Sequence, residues 1–285
     1  MSSSRFWVSC GPDSRGVAPL IGIILMFGFL VISLSAYQAT VVPEQNTGVE
    51  FEHFETVQDE MVDVRSAIFQ ARTTTNPQST TVTLGTNYPF RLVAFNPPPT
   101  TGELATSENG SILIEDQATG ADNTTDFDEF NPDDFHTRLL TYEPSYFELD
   151  AALPIRHEYS VVYLDTRVDD PEADIVLRDD NQQLVSGNEV VIPAVQREYS
   201  EVGSQTVAVD VEPGISETET LSDVSVTVPT KLPEETWERL LADELDADKI
   251  VVDEAAEELT LELDGQYDIT FAPVGLDEPP ASGSP

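Results

Sequence analysis

Basic residues are scarce in this chain of 285 residues: 13 Lys and Arg stand against 53 Asp and Glu, which sets the formal charge at −40 and the isoelectric point near 4.1. A nucleic-acid partner is excluded, because binding a duplex needs clustered cations to displace phosphate counterions. The same repulsion excludes anionic lipid headgroups as partners of so acidic a surface. Cysteine is nearly absent as well. Cys10 stands alone, so neither an intrachain disulfide nor a thiolate zinc site can form, and the segment before it is too short and too polar for a lipobox. Catalytic signatures are missing too: there is no G-x-S-x-G elbow, P-loop, dinucleotide glycine fingerprint or H-E-x-x-H pair. His53, His136 and His157 are scattered, and His157-Glu158 lacks a second histidine four residues after the first. The chain is therefore expected not to be an enzyme and to carry no cofactor.

What is abundant is carboxylate, and lysine is the residue it displaces, since only Lys231 and Lys249 occur. That balance points to a halophile. At molar salt the Debye length falls to about 3 Å, which screens the self-repulsion that such a charge causes in dilute buffer. Forty per cent of the residues are hydrophobic, enough to build a core despite the charge.

From Gly16 to Pro43 there is no charged residue. Its core, Val17 to Tyr37, would span roughly 31 Å as a helix, the thickness of a bilayer core. Arg5 and Arg15 precede it, while Glu44, Glu50, Glu52 and Glu55 follow. Basic residues are retained on the cytoplasmic side, so the N-terminus is expected inside the cell and everything after Pro43 outside. The run is longer than the apolar region of a cleaved secretory signal, and Ser33-Leu34-Ser35 is a poor cleavage site for one.

The residues Arg15-Gly16-Val17-Ala18-Pro19-Leu20-Ile21-Gly22-Ile23-Ile24-Leu25-Met26 resemble the class III signal of haloarchaeal type IV pilins. In that family a prepilin peptidase cuts after the basic–small pair, which implies processing at Arg15, Gly16 and Val17 with Val17 as the new N-terminus. Tyr37-Gln-Ala-Thr-Val-Val-Pro-Glu-Gln-Asn46 and Asn96-Pro-Pro-Pro99 are similar to a group of uncharacterised, pilin-like haloarchaeal membrane proteins. The resemblance implies a membrane-anchored surface protein whose partners are the lipid bilayer, prepilin peptidase and other pilin-like subunits. About two hundred residues follow the helix, whereas pilins are compact. A minor pilin or surface-protein subunit is one reading; a membrane-anchored ligand-binding or enzymatic ectodomain that uses a pilin-type signal without forming filaments is the alternative.

Beyond Pro43, apolar residues recur at Phe54, Val57, Met61, Val64 and Ile68, one stripe of a helix. The stripe either docks onto the chain's own β domain or forms a seam with neighbouring subunits. After Arg72 the pattern turns to short β-rich runs: 79–85, 91–95, 111–115, 159–164, 189–192, 206–211, 224–228, 259–263 and 267–271. A helix is predicted over 233–245, with Trp237, Leu240, Leu241 and Leu245 on its buried side. Residues 96–102 and 119–134 read as loops. The fold expected is an N-terminal transmembrane helix and amphipathic helical stem, followed by a mainly antiparallel β domain, sandwich or open barrel, with one or two short helices. Its divisions are a leader over 1–16, the membrane helix over 17–42, the stem over 43–72, the β domain over 73–276 and a disordered tail over 277–285.

Two sequons, Asn109-Gly-Ser111 and Asn123-Thr-Thr125, are candidate glycosylation acceptors on loops outside the cell. The acidic run of Asp122, Asp126, Asp128, Glu129, Asp133 and Asp134 offers hard oxygen ligands to Ca²⁺ but departs from the EF-hand pattern, and in a chain with 53 acids such a cluster arises by composition alone, so it reads as a solvated loop. No metal site is assigned to it.

Overall fold

The computed structural model describes residues 17–150, 152–168, 175–179 and 181–281. Helix α1, Val17–Ala36, runs through a π turn at Tyr37–Val41 directly into α2, Val42–Ala71. Although proline commonly breaks a helix, the chain stays helical through Pro43. Proline has no N–H to give to the preceding turn, and the wider turn absorbs the defect, with the Val42 N–H reaching back five residues to the Tyr37 carbonyl. From Leu20 to Leu34 the large apolar side chains of α1 are exposed. Among the described residues this is the helix long and apolar enough to cross a membrane.

The strands are β1 Gln78–Thr83, β2 Thr101–Thr106, β3 Gly110–Ser111, β4 Leu113–Asp116, β5 His136–Thr137, β6 Leu140–Ser145, β7 Ile155–Glu158, β8 Val161–Leu164 and β9 Val176–Asp179. They continue as β10 Val185–Ser186, β11 Glu189–Val195, β12 Ser200–Gly203, β13 Thr206–Pro213, β14 Glu217–Pro229, β15 Ile250–Asp253 and β16 Glu258–Leu276. One sheet runs β1-β13-β16-β11-β10, with β14 and β15 also paired to β16 and β4 paired to β14. A second runs β12-β2-β6-β7-β8-β9, and β3 pairs with β5 apart from both. Among the described residues pairing is antiparallel except between β11 and β16, and no barrel closes. The expected mainly antiparallel β domain behind a helical stem is thus the fold observed.

The stripe on α2 is buried: Phe54, Val57, Met61, Val64 and Ile68 pack against β1 and β13 of one sheet and against β7 and β8 of the other. Docking onto the chain's own β domain is therefore what those residues do. Around them lies a stem-side core that includes Val82, Leu104, Tyr142 and Val209. A distal core gathers Ile114, Val226, Leu261, Phe271 and Trp237. Strand β8 separates the two, with Val162 facing the stem-side core and Val161 and Tyr163 the distal one. A strand buried on both faces reads as an unbroken apolar run, as 161–164 does.

The two segments 259–263 and 267–271 merge into the single strand β16, which carries Gly265 at φ +87. The register with β14 slips there: between the pairs Ser222–Gln266 and Val224–Leu263, β16 passes one residue more than β14. Asp223 (φ 53) shifts the buried alternation from Leu221 to Val224, Val226 and Val228, and its carboxylate accepts the Gly265 N–H at 2.7 Å. Helix α3 spans only Glu234–Leu240, shorter than predicted; Trp237 and Leu241 are buried, with Leu240 and Leu245 packed beside them. Residues 91–95 form no strand. The start of the tail is held rather than disordered: the Asp277 N–H donates to Asp210 O at 2.7 Å, and Arg197 Nε to Pro279 O at 2.8 Å. Residues 282–285 lie outside the described residues.

Candidate functional site

Just past the π turn, the β domain closes a polar collar around α2. Residues 87–99 leave the head as a long loop, pinched where the Thr86 N–H donates to Thr100 Oγ1 at 2.8 Å and the Thr100 N–H to Thr86 O at 3.0 Å. Gly85 and Gly102 flank that neck. A Cβ at Gly85 would overlap the Thr100 carbonyl, and one at Gly102 would overlap the Leu84 carbonyl and the Tyr142 ring, so both close approaches require glycine. Pro97, Pro98 and Pro99 lock φ and stiffen the returning limb.

Three levels of hydrogen bonds tie this loop to the helix. Nearest α1, Gln38 Nε2 donates to Phe95 O at 2.8 Å while Gln38 Oε1 accepts the Phe95 N–H at 2.9 Å. Higher up, Arg91 Nη1 donates to Asn46 Oδ1 at 3.0 Å and also to Asn96 Oδ1, and Nη2 donates to Gln45 Oε1 at 3.1 Å. Above these, the fully buried Glu50 accepts the Tyr88 hydroxyl and the N–H groups of Phe147, Glu148 and Leu149 at 3.0, 2.9 and 2.7 Å. Burial, then the hydrogen bond to Glu50, raises the Tyr88 pKa. One helical turn on, His53 bonds the Tyr146 hydroxyl at 2.6 Å and Thr83 O at 3.0 Å, and burial lowers its pKa against the opposing pull of that carbonyl.

A second buried polar group lies between the sheets. Glu158 accepts the Tyr163 hydroxyl, the Thr230 hydroxyl at 2.7 Å and the Lys231 N–H at 3.0 Å, and Thr230 Oγ1 in turn accepts the Trp237 indole N–H at 2.9 Å. Burial raises the Glu158 pKa despite these donors. Its neighbour His157 is pushed down to about 4, first by burial and then by the Arg65 charge, against a backbone hydrogen bond at Tyr159. Arg156 and Arg167 both clasp Asp165, at 2.8 and 3.1 Å, and lower its pKa although burial opposes them. These groups brace β7, β8 and the segment before α3.

Of the residues singled out in the sequence, Arg15 and Gly16 lie outside the described residues and Val17 opens α1. Asn109 and Ser111 are exposed. The Asn123 amide donates to Asp126 at 3.2 Å; the middle residue of its sequon, Thr124, is buried, while the third, Thr125, is exposed. Carboxylates of the acidic run serve turns: Asp122 accepts the Thr124 N–H and hydroxyl, and Asp134 accepts the Asn131 N–H. Phe127, Phe130 and Phe135 anchor that run in the distal core against Phe271. Among the described residues no three His, Cys, Asp or Glu side chains gather as metal ligands. The three histidines stay apart, on α2, β5 and β7. The collar residues Gln38, Glu50 and Arg91 went unrecognised in the sequence; the only local signal was an apolar segment bracketed by prolines at 89 and 97–99.

No family model and no solved structure matches the chain. A protein of Archaeoglobus fulgidus, described as an uncharacterized protein, is 33% identical over 85 residues, which cover 30% of this chain. The matched stretch takes in 15% of that protein's length.

Proposed function

We propose that the chain is a single-pass, pilin-like cell-envelope protein of a halophilic archaeon, whose β domain sits outside the cell and serves a structural or interaction role as a minor pilin or surface-protein subunit. One observation carries this reading. A single helical rod, 53 residues from Pro19 to Ala71, is apolar and bare in its first half and buries one face against the head in its second. Such a rod needs lipid, or the equivalent halves of neighbouring subunits, to cover the bare part. Two arginines before the apolar run and four glutamates after it support an inside N-terminus and an outside head. A non-catalytic role agrees with the places of His157 and Glu158, which are enclosed where they carry stability rather than chemistry.

Processing tests the reading through one bond. In a host with active prepilin peptidase, N-terminal sequencing of the membrane fraction is expected to begin at Val17, with Arg15→Ala and Gly16→Val variants remaining full length. Recovery of the clipped chain in sheared filaments identifies an assembled subunit. A mature protein that keeps residues 1–16 would replace the pilin reading with that of an anchored ectodomain. Orientation is tested separately: Ser186→Cys, exposed at the end of β10, should react with impermeant thiol reagents on intact cells, and reaction only after lysis reverses the topology.

A further inference from the structure

The loop from Phe90 to Phe95 presents its large side chains to the surroundings. Phe90, Leu92 and Phe95 are 89%, 88% and 85% exposed, more than any large apolar residue of α1. A soluble head gains nothing from such a tip, and apolar patches of this kind are ordinarily covered. Gln38 indicates by what. Its amide pairs with both backbone groups of Phe95, and it stands two residues beyond the end of α1 at Ala36, so the loop is fastened level with the edge of the apolar surface. A helix of 20 residues is about 30 Å long, one hydrocarbon thickness, which puts Gln38 at the lipid boundary when α1 spans.

Charge is arranged to match. Between Gly85 and Gly102 there is no Asp or Glu, in a chain that carries 53 of them. The single charge of that stretch, Arg91, is drawn toward Gln45 and Asn46, about 10 Å farther along the helix from the apolar half than Gln38. The apolar tip and the cation are thus layered as a bilayer interface requires, with hydrocarbon side chains below and guanidinium above.

We infer that residues Phe90 to Phe95 form a second membrane contact, inserting into the interface of the outer leaflet beside the helix. The head is then held at two points, the helix and the loop, which fixes its tilt and rotation above the bilayer. The inference rests on the membrane-spanning reading of α1.

The test uses the full chain in a Cys10→Ser background, carrying an environment-sensitive fluorophore on Leu92→Cys, Leu34→Cys or Ser186→Cys. Each protein is reconstituted at low density into phosphatidylcholine vesicles with nitroxide-labelled lipids of shallow or deep position. Quenching at position 92 by shallow lipid should exceed that at 186 by about twofold or more, while position 34, about 6 Å inside the boundary set by Gln38, is quenched as well. Quenching at 34 with none at 92 beyond the level of 186 overturns the loop contact and leaves the anchor standing. Absence of quenching at both 34 and 92 overturns the spanning helix itself. Emission at 92 that shifts to the blue with protein density, without lipid quenching, assigns the tip to a second copy of the chain and also overturns the inference.

Discussion

Glu50 on the stem helix accepts the hydroxyl hydrogen of Tyr88 from the loop that descends past it, and this contact joins two segments 38 residues apart at a fully buried carboxylate. Three backbone N–H groups of residues 147–149 converge on the same oxygens. The helix is therefore fastened through one side chain to both the descending loop and the connection that follows β6.

Replacing Glu50 by Gln keeps the volume but turns an oxygen acceptor into an N–H donor facing other donors. Hydrogen bonds to a charged acceptor carry more than neutral ones, so a loss of roughly 1–3 kcal/mol is expected. Chemical denaturation of the full chain in detergent measures it. Limited proteolysis should show faster cleavage within residues 87–99. An unchanged denaturation midpoint would show that Glu50 does not hold the collar.

His157 sets an acid limit on stability. Burial and the Arg65 charge lower its pKa in the folded chain from 6.5 to about 4, so the neutral form is the folded one. A group with a depressed folded pKa contributes stability that is complete above 6.5 and is lost as pH falls toward about 4. Over that window the loss amounts to roughly 3 kcal/mol. Melting of His157→Gln should vary less than wild type between those pH values, and equal slopes would contradict the assignment.

Two glycines should respond in opposite directions to alanine. At Gly102 a Cβ meets the Leu84 carbonyl and the Tyr142 ring, and overpacking there is expected to destabilise by roughly 1–3 kcal/mol. At Gly48, on the exposed side of α2, nothing lies within 4 Å, and alanine should stabilise the helix by roughly 0.5–1 kcal/mol. Thermal melts of the two variants decide both.

Salt dependence tests the halophile reading. As salt falls from molar to tenths of molar, the carboxylates repel over a longer Debye length and the melting temperature should drop. The measurement needs the stem. A chain starting at Thr73 would strip Met61, Val64 and Ile68 from the stem-side core and report cavity loss instead of charge. A melting temperature independent of salt removes the argument.

Much of the architecture was legible because local pattern announces which residues require burial. The three-and-four spacing from Phe54 to Ile68 marks a buried stripe, and period-two alternation marks β13, β14 and β16. Pattern is silent on what does the burying. Whether the stripe met a neighbouring subunit or its own sheets was decided only when two sheets closed on α2. Glu50, Glu52 and Glu55 are alike in the sequence. Only Glu50 is fully buried, because three N–H groups nearly a hundred residues away converge there.

The segment 91–95 marks the limit most clearly. Its Arg-Leu-Val-Ala-Phe composition alone predicts a strand, since β preference is a property of side chains. A strand also needs a neighbour, and Pro89 together with Pro97 to Pro99 removes the donors that would extend a ladder on either side. The backbone of Phe95 finds its partner in the Gln38 side chain instead. The amino-acid order alone determined that these residues are apolar, acid-free and bracketed by proline; tertiary structure decided that they hang beside the helix, because backbone hydrogen bonds are filled by whichever partner the whole fold brings within reach.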